Sequence, residues 1–324
     1  MKRLFFAACL AGSLALIASS CKKNEEKEVS INLPQMEEAG DIDEGRLYVD
    51  FNANNTYKWN ANDEVMFYNL DAEDGTQTIK AVYTTNSSAE GQTNAIFTGD
   101  DMGAKKDHFF VFYPTSKIVN GTAALNVDNY ETFNVPGEQT YTLVNGKPTV
   151  DPSAMAAACE TEDFNSFTMK HIFGVLRLKL KGVKAVERLE IVDNSFNLSG
   201  NVSMKLHKVN MTTFNEIMNT YANNYGEHEE ALANYLQVLG YSSEPEGKVM
   251  TLNCPGIQLS ETTQTHFFVV LRPGALINGF KVNVYFTDGT HDAIDQYNSF
   301  NKAYCIKPGV IKSCGPTKVL GQNL

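Results

Sequence analysis

The chain has 324 residues, 43% hydrophobic and 20% charged, which is material for the cores of more than one domain and excludes a disordered chain. With 38 acidic against 27 basic residues the formal charge is −11 at pH 7, and loss of Lys2 and Arg3 with a leader takes it to −13. That sign argues against nucleic acid as a partner and against electrostatic attachment to anionic lipid.

The leader is the first predicted element. Lys2 and Arg3 precede a short apolar run, Leu4 to Ile17, which ends in Ala18-Ser19-Ser20-Cys21. This is the build of a secretory signal, and the run is too short to cross ~30 Å of hydrocarbon comfortably. The small residues before Cys21 resemble the lipobox of bacterial lipoproteins. That resemblance implies cleavage after residue 20 and acylation of Cys21, so that lipid forms the membrane anchor. Lys22 to Glu28 is a charge run that reads as a solvated tether. It also resembles the charged export signal of lipoproteins from Bacteroides-type bacteria, which implies the outer face of the outer membrane.

Val29-Ser30-Ile31-Asn32-Leu33 alternates apolar and polar residues, the period of a half-buried strand, and Pro34 ends it. A polar loop from Gln35 to Gly45 leads to Arg46, the only arginine between Arg3 and Arg177. From there to about residue 168 short β-patterned runs alternate with turns: Val65–Tyr68, Ile79–Tyr83, Ala95–Phe97 and His108–Tyr113. Asn120-Gly121 and Asn145-Gly146 are hairpin signals. Turns every ten residues or so predict an all-β sandwich. A boundary is expected at Asp163–Phe167, and new runs follow at Ile172–Leu180, Val186–Val192 and Gly200–Met204.

Residues 212–240 break the β pattern. Thr213 to Glu216 fits a capping box, Ala231, Leu232, Tyr235, Leu236 and Leu239 recur at helical spacing, and Gly240 suits a C-terminal cap. The spacing predicts a helical insertion. Strands resume at Val249–Leu252, Thr265–Leu271 and Phe280–Phe286, with an Asp288-Gly289 hairpin to Thr290–Ile294. The last run, Val310 to Pro316, reads either as a closing strand or as a strand for donation.

Chemistry is sparse. Phosphate-loop, Gly-x-Ser-x-Gly, His-Glu-x-x-His and EF-hand patterns are absent, and the six histidines are scattered singly. His108, His171 and His266 lie beside apolar β runs, and His291-Asp292 falls in a hairpin. Asp71, Glu73, Asp74 and Asp100-Asp101 are turn acids that offer only a weak calcium candidate. No nucleophile with an ordered base is legible, so neither an enzyme nor a cofactor is expected. Besides Cys21, the mature cysteines are Cys159, Cys254, Cys305 and Cys314. An oxidising periplasm permits disulfides, four cysteines allow three pairings, and buried free thiols are an equal alternative.

One ordered set of motifs goes further. Trp59-x-x-x-Asp63 leads into the apolar Val65–Tyr68, Phe97 precedes a turn, and Phe110–Tyr113 ends in Tyr113-Pro114. With Lys170-His171-Ile172 and Leu271-Arg272-Pro273-Gly274, this order resembles the fimbrillin-like proteins of Bacteroides-type bacteria. The resemblance implies two tandem transthyretin-like β-sandwiches, at 47–168 and 169–324, the second carrying the 212–240 insertion. It implies a fimbrial structural or tip subunit with a role in adhesion, made as a surface lipoprotein. It further implies proteolytic processing at Arg46, release of the first strand with Val29, Ile31 and Leu33, and donor-strand exchange with other fimbrial subunits. A host or bacterial surface ligand is left unidentified. The rival reading is a non-polymerising glycan-binding lipoprotein of a nutrient-uptake system, with Trp59, Tyr221 or Tyr225 as an exposed sugar platform.

Overall fold

The computed structural model describes residues 26–33, 37–38, 58–69, 79–102, 108–118, 130–144, 146–193, 198–205, 247–272, 274–276, 279–295, 304–306 and 309–321. Among these residues the chain is all β, with three single-turn 3-10 segments and no α-helix. Cys21, Arg46 and the insertion expected at 212–240 lie outside the described residues. The ends of that insertion's region converge, because Ser199 and Gly247 form a β-bridge.

Eight strands make the first sheet. Their spatial order is Ser166–Thr168, Glu26–Asn32, Asn94–Asp100, Ile79–Thr85, Glu64–Asn69, Phe109–Tyr113, Ala157–Thr161 and Lys170–His171. The two ends of this order are one piece of chain, separated only by Met169. Residues 166–171 therefore join both edges and close the sheet on itself, which removes the bare edges an open sheet would present.

The middle strands of this sheet explain their near-continuous apolar sequences. Val65, Phe67, Phe109 and Val111 pack inside the closed sheet with Val29, Ile31, Tyr83 and Phe97. Their alternates Met66, Tyr68, Phe110 and Phe112 face the other way, into a second core. A strand buried on both faces has no polar positions to alternate.

The second core is enclosed by two further sheets. One orders Thr265–Leu271, Gly174–Lys181, Val310–Lys318 and Glu37–Glu38; the other orders His291–Ile294, Lys281–Phe286, Ala185–Val192, Val249–Gln258 and Glu138–Thr140. Leu176, Leu189, Val282, Val270 and Ile311 meet in one cluster, so the sheets pack as sandwich layers. Val310–Lys318 runs parallel to Gly174–Lys181 and is flanked on its other side by Glu37–Glu38, which makes it a closing strand. Besides the closing segment, whose Lys170-His171 pairs with Ala157-Ala158, three pairings among the described residues cross the boundary expected near 168. Glu37–Glu38 joins Val310-Ile311, Glu138–Thr140 joins Thr251–Asn253, and Tyr130–Val135 joins Gly200–Lys205.

Two of the turn signals have direct counterparts, and Asn120-Gly121 lies outside the described residues. Val144 pairs with Lys147 across Asn145-Gly146, where Gly146 takes φ 76°. Phe286 N–H donates to Thr290 O at 2.9 Å across Asp288-Gly289, where Gly289 takes φ 83°. Positive φ is the reason glycine is needed in both hairpins.

Candidate functional site

The first strand, Glu26–Asn32, is the feature on which a function can be built. It starts earlier than expected: Glu26, Lys27 and Glu28, read from sequence as tether, already belong to it. On one side it pairs antiparallel with Asn94–Asp100 through seven registered positions, from Glu26 opposite Asp100 to Asn32 opposite Asn94. On the other it runs parallel to Ser166–Thr168. Ser30 N–H donates to Asn165 O, Met169 N–H to Asn32 O and Leu33 N–H to Thr93 O, each at 2.9 Å.

The alternation of side chains follows from a period of two. Val29, Ile31 and Leu33 point inward and are 1%, 0% and 7% exposed. Val29 lies across from Phe97, and Ile31 lies between Ala95 and Phe167. The outward residues are tied by Asn94, whose Nδ2 donates to Ser30 Oγ and to Asn32 Oδ1, both at 2.8 Å.

The wall of this slot is aromatic. Trp59 is 0% exposed, and its indole Nε1–H donates to the Ile31 carbonyl at 3.1 Å. Its ring meets Phe97 and Tyr113 edge-on, with centroids 4.8 and 4.9 Å away. Trp59 N–H donates to Gln92 O at 2.8 Å, and Gly91 N–H to Trp59 O at 2.9 Å, so the backbone of Trp59 is held as well. Asp63 accepts from Asn60 N–H at 2.8 Å and from the Tyr113 hydroxyl. Burial raises the pKa of Asp63 despite these bonds. Burial, then the nearby Asp63 charge, raises that of Tyr113. Deeper in, Phe164 packs on Phe67, Tyr83 and Phe109.

The motifs from the first half that carried the sequence resemblance thus meet at one place, whereas Ile172 and Leu271 of the second-half motifs lie in the other core. Trp59 and Phe97 meet the middle of the first strand, Tyr113 backs Trp59 and Asp63 holds Tyr113, and no pair of the four except Trp59 and Asp63 is close in sequence. Two features went unread in the sequence. One is the closing segment, although Phe167 and Met169 alternate with Ser166 and Thr168 and are buried. The other is the indole's partner, which only the fold reveals.

The remaining sequence candidates lie elsewhere. Burial of Trp59 removes it from any sugar platform, because a stacking surface needs an exposed ring face; Tyr221 and Tyr225 fall outside the described residues. His108 Nε2 lies 2.6 Å from Glu160 Oε1, His171 is buried, His266 packs edge-on against Phe268, and His291 stacks on Tyr285. The structure does not bring these histidines together. Asp71, Glu73 and Asp74 lie outside the described residues, among which no group of three or more potential metal ligands occurs. Cys159 and Cys254 carry free thiols. Among the described residues no helix is long and apolar enough to cross a membrane.

No known protein family matches the sequence, and no curated protein does. Among solved structures the chain matches a candidate cell adhesion protein from Bacteroides ovatus at 12% identity and TM-score 0.44, covering 91% of this chain and 92% of that one. It matches a candidate cell adhesion protein from Bacteroides uniformis at 15% identity and TM-score 0.42, covering 79% and 87%. It also matches the C-terminally truncated tip fimbrial protein Mfa3 from Porphyromonas gingivalis at 9% identity and TM-score 0.41, covering 89% and 94%. At such scores nothing about function passes from those proteins to this one.

Proposed function

We propose that this chain is a fimbrial or adhesive subunit, anchored at the cell surface through lipid on Cys21, that assembles by exchanging its first strand. A cut after Arg46 frees the segment carrying Val29, Ile31 and Leu33, and a strand from a neighbouring subunit takes its place. In this reading the closed sheet and the two packed sheets are the tandem transthyretin-like sandwiches, and the 212–240 insertion decorates the second.

The observation that supports the reading is the place of Glu26–Asn32 in the sheet. It is the first strand among the described residues, paired on both sides, and it fills the inner core with three aliphatic side chains. Removing it opens the sheet and bares backbone groups on two neighbours at once. Each polar group left buried and unpaired costs about 1–3 kcal/mol, so the open form strongly favours any strand that can fill the gap. Until the cut, the native strand keeps the slot closed.

Limited digestion of the mature protein with an arginine-specific protease tests this. The expected result is one early cut after Arg46, followed by ladders of oligomers on an unboiled denaturing gel. A protein that stays monomeric after complete cutting at Arg46 would overturn the proposal.

A further inference from the structure

We infer that Trp59 is the positioning residue of the first-strand slot, reading the backbone of whatever strand lies there and not its side chains. The inference rests on the strand-exchange reading for its biological use, but its physical content concerns the intact chain alone. The partner it implies is an extended peptide with inward aliphatic residues two apart.

Trp59 is the single tryptophan in the sequence. Its indole N–H is buried, and the acceptor it finds is the main-chain carbonyl of Ile31, the middle one of the three inward residues. The donor belongs to the wall of the slot and the acceptor to the strand. Edge-on packing against Phe97 and Tyr113 fixes the ring, so the N–H stays aimed at the slot whether or not a strand is present. A buried donor without an acceptor is costly, and the empty slot supplies none from the strand. Every residue type, proline included, has a carbonyl. The contact is therefore blind to sequence and serves the native strand and a foreign one alike. Choice among strands falls to the side-chain wall, where the large Phe97 opposes Val29 and the small Ala95 opposes Ile31.

A tryptophan that merely filled the core would be released only by global unfolding. One that holds the strand is released whenever the strand opens. Hydrogen exchange in the intact, uncut protein separates the two, because the lone indole N–H gives one unambiguous resonance. We expect it to exchange at the rate of the 26–33 amides and faster than the amides of Phe109–Tyr113. Trp59→Phe should raise exchange across 26–33 about tenfold while leaving Phe109–Tyr113 within twofold. Should Trp59→Phe fail to fold, the wild-type indole rate decides alone. An indole that exchanges with the global core, or a variant whose 26–33 amides are unchanged, would overturn the inference. A protein that passes these tests but stays monomeric after cutting at Arg46 would instead sink strand exchange and leave the role of Trp59 standing.

Discussion

The side-chain amide of Gln139 hydrogen-bonds both backbone groups of Val270. Its Nε2 donates to the Val270 carbonyl at 2.7 Å, and its Oε1 accepts from the Val270 N–H at 2.9 Å. Among the described residues Thr265–Leu271 is one edge strand of its sheet, and Gln139 comes from one edge strand of the other. The amide thus stands in for one residue of a missing neighbour and links the two layers.

Replacing Gln139 with Leu keeps the volume and leaves both Val270 groups without that partner. Gln139 is 1% exposed, so water cannot easily substitute. The expected loss is about 2–4 kcal/mol, read as a lower urea midpoint at unchanged slope. A loss under about 0.5 kcal/mol would mean that the two groups find other partners.

Gly99 and Tyr83 face each other across adjacent strands. A side chain at Gly99 would place its Cβ 2.6 Å from Cδ2 of Tyr83 and 2.8 Å from the Val82 carbonyl oxygen. Gly99→Ala should therefore destabilise by about 1–2 kcal/mol, because the clash outweighs the few tenths gained by stiffening the unfolded chain. In a double-mutant cycle with Tyr83→Ala, the two changes should couple by at least about 0.5 kcal/mol in urea unfolding. Strict additivity would place the strain on the Val82 carbonyl alone.

Local pattern was legible in this chain and long-range pairing was not. Val29, Ile31 and Leu33 show their buried face through alternation, and the hairpins at Gly146 and Gly289 follow from the need for positive φ. Val65–Tyr68 and Phe109–Tyr113 read as strands, but a continuous apolar run does not say that its two faces enter two different cores. The closure by residues 166–171 was hidden because strand partners 136 positions apart leave no local trace, as Ile31 and Phe167 show. Trp59, offered as an exposed sugar platform, misled for the same reason, and the role of Gln139 went unread. Their burial depends on acceptors that other segments bring to them.

Burial pushes the Cys254 thiol up to about 12 and the Cys159 thiol up to about 11. Cys254 Sγ also donates to the Leu252 carbonyl at 3.4 Å inside the second core. Only the thiolate attacks alkylating reagents, so both residues should resist iodoacetamide at pH 7.5 in the folded protein and react once urea unfolds it. Peptide mass mapping after a timed pulse reads the two sites separately. Fast labelling of Cys254 under native conditions would show that the strand carrying it opens on its own.

His266 is held down to about 4 by burial, and then by the charges of Arg177 and Lys179. Lys179 lies directly across the sheet from it, and Arg177 is kept in place by donating from Nε to Ser313 Oγ at 2.7 Å. The folded pKa is below the ordinary value of 6.5, so between these limits the unfolded chain binds more protons than the folded one. The stability supplied by a neutral His266 is complete above pH 6.5 and is lost as pH falls through that window toward 4. Because the ring is partly solvated, the loss should be about 1–2 kcal/mol, less than the full shift would give. His266→Gln removes the titration and keeps a polar group. Whatever its offset at pH 7.5, the variant should lose about 1–2 kcal/mol less than the parent when urea unfolding is repeated at pH 4.5. Carboxylates elsewhere affect both proteins equally, so the difference isolates this residue. Parallel stability curves from pH 7.5 to 4.5 would mean that His266 is protonated as readily in the folded chain as in the unfolded one.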